Sequence, residues 1–468
     1  MIVTSRNPTF RRIAQPLVVK VMEPGEAADF LLKRAPGGER NDAEALATEL
    51  GFLPLALEQA GAYIEEHGST FGRYLELFRT RRTEILRRGS QSKDVTVATT
   101  WELSFVEAEK KSEAAGQLMN LCAFLAPDDI GREMLRSGAK HLPEPLAKAV
   151  ADDLLWDEAV GALRGYSLLE VKSEAISVHR LVQAVARDRM DEAARRMWAE
   201  AAVEVVNTAF PYKSNDVRTW TLCSRLLPHS RVAEAHATEL GVGTKACVRL
   251  MNHVGNYLRG RAELLPAKEV LTRALKMAEA AYGTEDPNVA VIVNNHGLVL
   301  REMGDLAGAR TQYERALKIG EAAYGPDHPN VAIQVNNLGM VLQDLGDLAG
   351  ARTHIERALK IDEAADGPDH LNVARDVSNL GCVFKELGDL AGARTHSERA
   401  LKIDEAAYGS DHPNVANRLN NLGSVLQDMG DLAGARVQIE RALKIFEKSL
   451  GKDHPNTKLV RKNLESLG

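Results

Sequence analysis

Four histidines, His328, His370, His412 and His454, stand 42 residues apart. Imidazole is a common metal ligand. Each of these histidines, however, lies beside a proline or leucine at the start of an apolar-periodic stretch, and no Cys or carboxylate cluster completes a coordination set. Helix capping and packing is the expected role, and no metal is expected. Asparagines recur in step: Asn294 and Asn295, Asn336 and Asn337, Asn379, and Asn420 and Asn421. A carboxamide both donates and accepts, so a row of them can pair with the backbone of an extended peptide. The alternative is that one Asn of each pair bonds the neighbouring unit. Arg301, Arg375 and Lys385 add charge to the same stretches. Phosphate chemistry would require GxxxxGK[ST], whose backbone N–H groups and lysine cradle the phosphates. No such segment occurs. Gly241-Val242-Gly243-Thr244-Lys245 has the wrong spacing and follows no strand. No catalytic residue is therefore nominated, and the chain reads as a non-enzyme.

The elements that must position these residues repeat with them. GDLAGAR begins at Gly304, Gly346, Gly388 and Gly430, and a second glycine recurs at Gly283, Gly325, Gly367, Gly409 and Gly451. A degraded first copy starts near Ala246 and carries AELLPAK from Ala262 in place of GDLAGAR. Five helical hairpins and a partial one from Pro455 follow. Within a unit, Pro329 and Asn330 open the first helix, since proline costs nothing where the backbone N–H is unpaired anyway, and Asp327 is placed to cap it. Val335, Leu338 and Leu342 share one face. Gly346 ends the helix in a left-handed cap and Asp347 caps the next, which carries Leu348, Ala351, Ile355, Ala358 and Leu359 on one face. Gly339 and Ala351 are small where two helix backbones should approach.

Bulk properties set outer limits. A chain of 468 residues is too long for one core, and 44% hydrophobic with 5% aromatic residues suits helices packed by Ala and Leu. A net charge of −6 argues against nucleic acid as partner. Cys122, Cys223, Cys247 and Cys382 lie far apart and read as reduced thiols. No apolar run spans a bilayer, and the N-terminus lacks a signal peptide's apolar core, so a cytoplasmic protein with no membrane partner is expected.

The large and small positions Val335, Leu338, Gly339, Leu342, Ala351, Ile355 and Ala358 resemble the tetratricopeptide repeat, here with a period of 42 rather than 34. The longer unit and its GxDHPxVAxxxNNL run are similar to those of kinesin light chains. That resemblance implies an α-solenoid whose first helices line a concave face, so the Asn row would meet a protein or peptide ligand there.

Residues 1–190 do not repeat. Ile2-Val3-Thr4 and Leu17–Val21 read as short strands, followed by helices over Glu26–Arg34, Ala43–Leu50 and the PLALEQAGAYIEEHG stretch. TSRN at 4–7 and GFLPLAL at 51–57 resemble the sensor-1 strand end and the GLPL motif of NB-ARC-type signal-transduction (STAND) ATPases. The resemblance implies Arg6 near a nucleotide γ-phosphate and Pro54 near the base. WELSF at 101–105, LCAFLAPDDI at 121–130, and LLEVK and AISV around Ser173-Glu174 resemble that family's winged-helix segment, the last two as its hairpin wing. His179 falls where the family keeps a Met-His-Asp motif, with Val178 and Arg180 in place of Met and Asp. The family role is to sense the nucleotide's diphosphate; the plain alternative is a histidine that caps or packs under the wing. A DNA-reading winged helix is disfavoured, because Asp157–Arg164 carries two acidic residues and one Arg.

The expected fold is mainly α. A partial NB-ARC remnant (1–90) and a winged-helix-like domain (91–190) lead through a helical bridge (191–245) into a repeat array (246–468). With its P-loop and acidic Mg²⁺-holding strand absent, the chain reads as the sensor or scaffold arm of a signalling system. No cofactor is expected; ADP or ATP would belong only to a full-length form. The competing reading is a nucleotide-dependent STAND switch truncated at its N-terminus. Residues 1–90, lacking neighbouring strands, are expected to be the least stable region and open to self-association.

Overall fold

The computed structural model describes residues 21–36, 38–80 and 97–468. It is mainly α, with a solenoid in the C-terminal half. Arg6, the Ile2-Val3-Thr4 strand and most of the Leu17–Val21 strand lie outside the described residues. Two compact units are present: residues 1–209 with 225–247, and residues 210–224 with 248–468. The anticipated bridge over 191–245 is thus shared between units, its helices being Glu192–Ala209 and Trp220–Glu239.

In the first unit, helices Pro24–Arg34, Arg40–Glu49, Pro54–His67 and Phe71–Thr80 bury Leu31, Leu46, Leu57, Phe71 and Phe78. Helices Val97–Lys111, Glu113–Cys122 and Asp153–Gly165 accompany a small antiparallel sheet. Its strands are β1 (Ile130–Gly131), β2 (Glu170–Lys172) and β3 (Ala175–Ser177), in the order β1-β3-β2. Ile130 and Val171 both lie opposite Ile176, and the β2–β3 turn is Ser173-Glu174, with Ser173 at φ 54°. Asp152 caps the helix Asp153–Gly165 by accepting from the backbone N–H groups of Leu154 and Leu155. The helix Trp220–Glu239 is fastened to the approach to β1. Arg225 donates to both carboxylate oxygens of Asp129, at 2.9 and 2.8 Å, and His229 Nε2 donates to the Asp129 carbonyl at 3.1 Å. The guanidinium holds the Asp129 carboxyl below its usual range.

The second unit stacks five hairpins: Thr244–Gly260 with Leu264–Tyr282, Pro287–Glu302 with Leu306–Tyr324, Pro329–Asp344 with Leu348–Asp366, Leu371–Glu386 with Leu390–Tyr408, and Pro413–Asp428 with Leu432–Ser449. A last helix, Pro455–Glu465, closes the stack. The turn between helices is built as the sequence implies. Gly346 adopts φ 85°, a conformation that only glycine takes cheaply, and Asp347 accepts from the Gly350 N–H. The interior cap differs from expectation: His328, not Asp327, caps the helix that Pro329 opens, its Nδ1 accepting from the Asn330 N–H. The register is one residue later because Pro329 already occupies the first helical turn. Val335, Leu338, Leu342, Ala351, Ile355 and Ala358 are buried. At Gly339 a Cβ would come within 2.6 Å of Ile355 Cγ1, so the two helices pack at glycine distance.

Each hairpin buries its apolar face only against its neighbours, so array stability is roughly a sum of local terms. The fragment Ala246–Gly468 is therefore expected to be soluble, strongly helical and cooperative in thermal unfolding. A circular dichroism spectrum of a disordered chain would refute this.

Candidate functional site

The recurrent asparagines join consecutive hairpins. Asn295 donates its amide to Asn252 (2.8 Å), Asn337 to Asn294 (2.9 Å), Asn379 to Asn336 (3.0 Å), Asn421 to Ser378 (3.3 Å) and Asn463 to Asn420 (2.9 Å). Every rung links one residue to the position 43 further on, because stacking shifts the next helix by one residue. The members of a pair are therefore not equivalent. Asn294 and Asn336 are 7% and 1% exposed, and their side-chain oxygens accept from the next hairpin. For these two residues the expectation of a ligand-facing amide gives way to a structural one: the neighbouring repeat takes both the space and the acceptor. Asn295, Asn337, Asn379 and Asn421 are half-buried and each uses an amide N–H in the ladder. Their side-chain oxygens accept from no other described residue. Asn420 is half-buried and accepts from Asn463.

A second ladder runs two helical turns further along the same helices. Arg259 meets Glu302 (2.6 Å), Arg301 meets Asp344 (2.5 Å), Gln343 meets Glu386 (2.6 Å), and Lys385 meets Asp428 (3.3 Å) and Ser424 (2.6 Å). Arg301 and Lys385, the cations nominated for ligand contacts, are thus engaged by carboxylates of the next hairpin. Arg375 lies at 2.8 Å from both Asp362 and Asp376, carboxyls that are fully buried. The two carboxyls also hydrogen-bond each other, Asp376 donating to Asp362 when it is protonated. Burial pushes both carboxyls up, Asp376 to about 7.

The periodic histidines cap helices. The Nδ1 atoms of His328, His370, His412 and His454 accept from the N–H groups of Asn330, Asn372, Asn414 and Asn456 at 3.1–3.3 Å. Among the described residues no group of His, Cys, Asp and Glu could hold a metal ion.

Two residues nominated for nucleotide contact are described. Pro54 opens the helix Pro54–His67 and is half-buried. His179 caps the helix Arg180–Arg189, its Nδ1 accepting from the Leu181 N–H at 3.2 Å. Its Nε2 lies 3.0 Å from the Gly51 carbonyl. With Nδ1 an acceptor, Nε2 must carry the proton, so the ring is the neutral Nε2–H tautomer. Burial lowers its pKa in keeping with that. Gly51 sits at φ 66°, and any Cβ there would run into the imidazole. Arg180 donates to the Thr48 carbonyl and lies 5.7 Å over the Phe52 ring. The GFLPLAL turn and His179, 128 residues apart, are thus one cluster. Nothing local in either segment signals this contact.

Comparison with known proteins agrees with the array. The tetratricopeptide repeat family profile matches residues 245–319, 288–333, 332–406, 377–448 and 416–467. A domain of unknown function (DUF7779) matches residues 106–195. A nucleotide-binding leucine-rich repeat (NLR)-like protein of Hyaloscypha variabilis is 25% identical over 279 residues, 56% of this chain. The chain spans 27% of that relative's length. Among solved structures, BtubC (BKLC) from P. vanneervenii is 24% identical, covering 51% of this chain and 93% of its own, with a TM-score of 0.38. A kinesin-light-chain structure from Podosopora anserina, with nearly identical TPR-like repeats, is 17% identical, covering 43% of this chain and 95% of its own, with a TM-score of 0.35. Residues 245–467 are a tetratricopeptide repeat region, in a chain that is similar over 56% of its length to an NLR-like protein.

Proposed function

We propose that this chain is the ligand-recognising arm of a signalling protein, and that the array binds an extended protein or peptide segment along its first helices. The observation that carries the reading is the row Asn295, Asn337, Asn379 and Asn421. Each is held in place by one ladder bond and retains a side-chain acceptor that no described residue fills. Acceptors fixed at one-repeat intervals suit the backbone N–H groups of an extended peptide. No nucleic acid or membrane partner and no catalytic step enter this reading. A cytoplasmic setting fits it, and among the described residues no helix is long and apolar enough to cross a membrane.

The test uses peptides selected on the intact chain from a random display library. Changing Asn337 and Asn421 together to Ala is expected to weaken a selected peptide by roughly 1–3 kcal/mol, because each lost acceptor leaves a donor unpaired. Helical content should hold. Unchanged affinity would remove the Asn row from the site.

A second reading, the nucleotide-dependent switch, is favoured by the contact of His179 with the Gly51 turn, which brings the Met-His-Asp-like and GLPL-like segments together. In it Arg6, Pro54 and His179 would touch ADP or ATP, with the phosphate cradle supplied outside these residues. This chain by itself is expected to show no ATP turnover and only weak nucleotide binding. Micromolar binding by calorimetry, with turnover lost in Arg6→Ala, would reverse that preference.

A further inference from the structure

Residues 210–224 belong to the array's unit, although the chain before and after them belongs to the other. Their contacts reach both ends of the array. On the first hairpin, Ser214 Oγ donates to the His253 carbonyl at 2.7 Å and the Trp220 indole meets Tyr257 edge-on, with ring centroids 6.5 Å apart. At the far end, Asp216 lies 3.7 Å from His412, Arg218 sits 5.8 Å over the Tyr408 ring, and Trp220 is 6.5 Å from the His454 ring. The ends also touch directly: His454 Nε2 is 3.3 Å from the Gly260 carbonyl.

The sequence of the fourth junction is not special. Tyr324 stacks on His328 two junctions earlier in the way Tyr408 stacks on His412, with centroids 4.8 and 4.2 Å apart. What differs is the cover. Tyr324 is 43% exposed, whereas Tyr408 under Arg218 is half-buried, and the His412 side chain beside it is 9% exposed under Asp216.

The covered corner is imperfectly satisfied. His412 Nδ1 accepts from Asn414 N–H, so Nε2 carries the proton and points a donor into the corner. That Nε2 is buried without a hydrogen-bond partner, and so is Trp220 Nε1. Asp216 instead spends both oxygens on Arg218 at 2.5–3.1 Å, Oδ1 accepting from its backbone N–H and Nε and Oδ2 from its Nε and Nη2. A buried donor facing a carboxylate that stops short of it defines a subsite for a longer or better-aimed acid.

We propose that residues 211–220 are an internal clasp that shuts the array by holding its first and last hairpins together, and that an acidic peptide whose carboxylate reaches His412 Nε2 displaces it. The consequence for ligands rests on the peptide-binding reading above; the closure itself does not. A closed array denies an extended chain the length of the first-helix face, so release of the clasp precedes binding there.

The test works on the full chain, with spin labels at cysteines replacing the exposed Glu269 and Val437 for distance measurement by electron–electron resonance. The unaltered clasp should show one narrow distance. Asp216→Ala, and independently His412→Ala on the array side, should lengthen and broaden it, while Asp216→Glu, one methylene longer, should keep it narrow. The second arm titrates a fluorescent synthetic peptide of residues 211–221 carrying Asp216→Glu. It should bind the Asp216→Ala chain at least tenfold more tightly than the parent chain. A narrow distance in both alanine variants would overturn the clasp. Equal peptide affinity for the open and closed chains would overturn displacement. Neither result depends on the Asn337/Asn421 experiment, which tests the peptide-binding reading separately.

Discussion

Asp376→Asn is expected to make the array more stable at pH 8, and to remove most of the pH dependence of its stability between pH 4 and 7. Asp362 and Asp376 are both fully buried and share one cation, Arg375. One positive charge cannot neutralise two carboxylates in a site that water does not reach. Burial therefore pushes both up, Asp376 to about 7 from an ordinary 3.8. A group whose folded pKa is raised binds its proton more tightly in the native state. Its contribution is greatest below pH 4, declines as pH rises toward 7 and is level above that. At pH 8 the native state carries an excess buried charge that asparagine does not have. The expected gain is about 2 kcal/mol there and close to nothing at pH 4. Urea unfolding of the fragment Ala246–Gly468 at pH 5 and pH 8 checks this. The parent fragment should be the less stable at pH 8, and the variant should be nearly equal at both. The neighbouring junction supplies the control, since Arg418 stands one repeat after Asp376 and meets Asp404 at 2.8 Å. The single acid there has a base to itself, and Asp404→Asn should destabilise at neutral pH.

The parts of the fold that could be read from the sequence are those that the chain states several times. A contact between residue i and a residue one hairpin on recurs with the period, so the turn glycine at Gly346, the Asp347 cap and the close pass at Gly339 were all legible. Direction within a repeated pair was not. Asn336 and Asn337 differ by one position, yet one is buried as acceptor and the other half-buried as donor. Only the one-residue offset between stacked helices decides which. Contacts made once left no trace. His179 and Gly51 are brought together by packing across 128 residues, and 211–220 is a polar stretch whose Asp216 and Trp220 have partners only because the array returns to meet them. Hydrophobic periodicity describes faces, not which faces meet.

Gly339→Ala is expected to destabilise the array by roughly 1–3 kcal/mol, while Gly381→Ala, the same change one repeat later, should cost less than about 1 kcal/mol. Alanine is the better helix former by roughly 0.5–1 kcal/mol, so propensity alone predicts stabilisation at both sites. Packing decides between them. At Gly339 the new methyl would lie 2.6 Å from Ile355 Cγ1 and 3.1 Å from the Ala351 carbonyl. Ile355 is branched at Cβ, fully buried and part of the central apolar cluster, so it has no rotamer to retreat into. At Gly381 the nearest atoms are Ser397 Oγ at 3.2 Å, the Ala393 carbonyl at 3.3 Å and His396 Cβ at 3.3 Å. Serine can swing its hydroxyl aside, and what remains is a shift of a few tenths of an ångström. The distinction lies in the partner rather than in the glycine, and a double-mutant cycle isolates it. Ile355→Ser removes the clash but also loses buried apolar surface, so alone it destabilises. Combined with Gly339→Ala it should cost less than the sum of the two single changes by about 1 kcal/mol or more. Strict additivity in urea unfolding of the fragment would mean that the helices move apart at Gly339 without strain, and that the glycine row does not set the helix spacing.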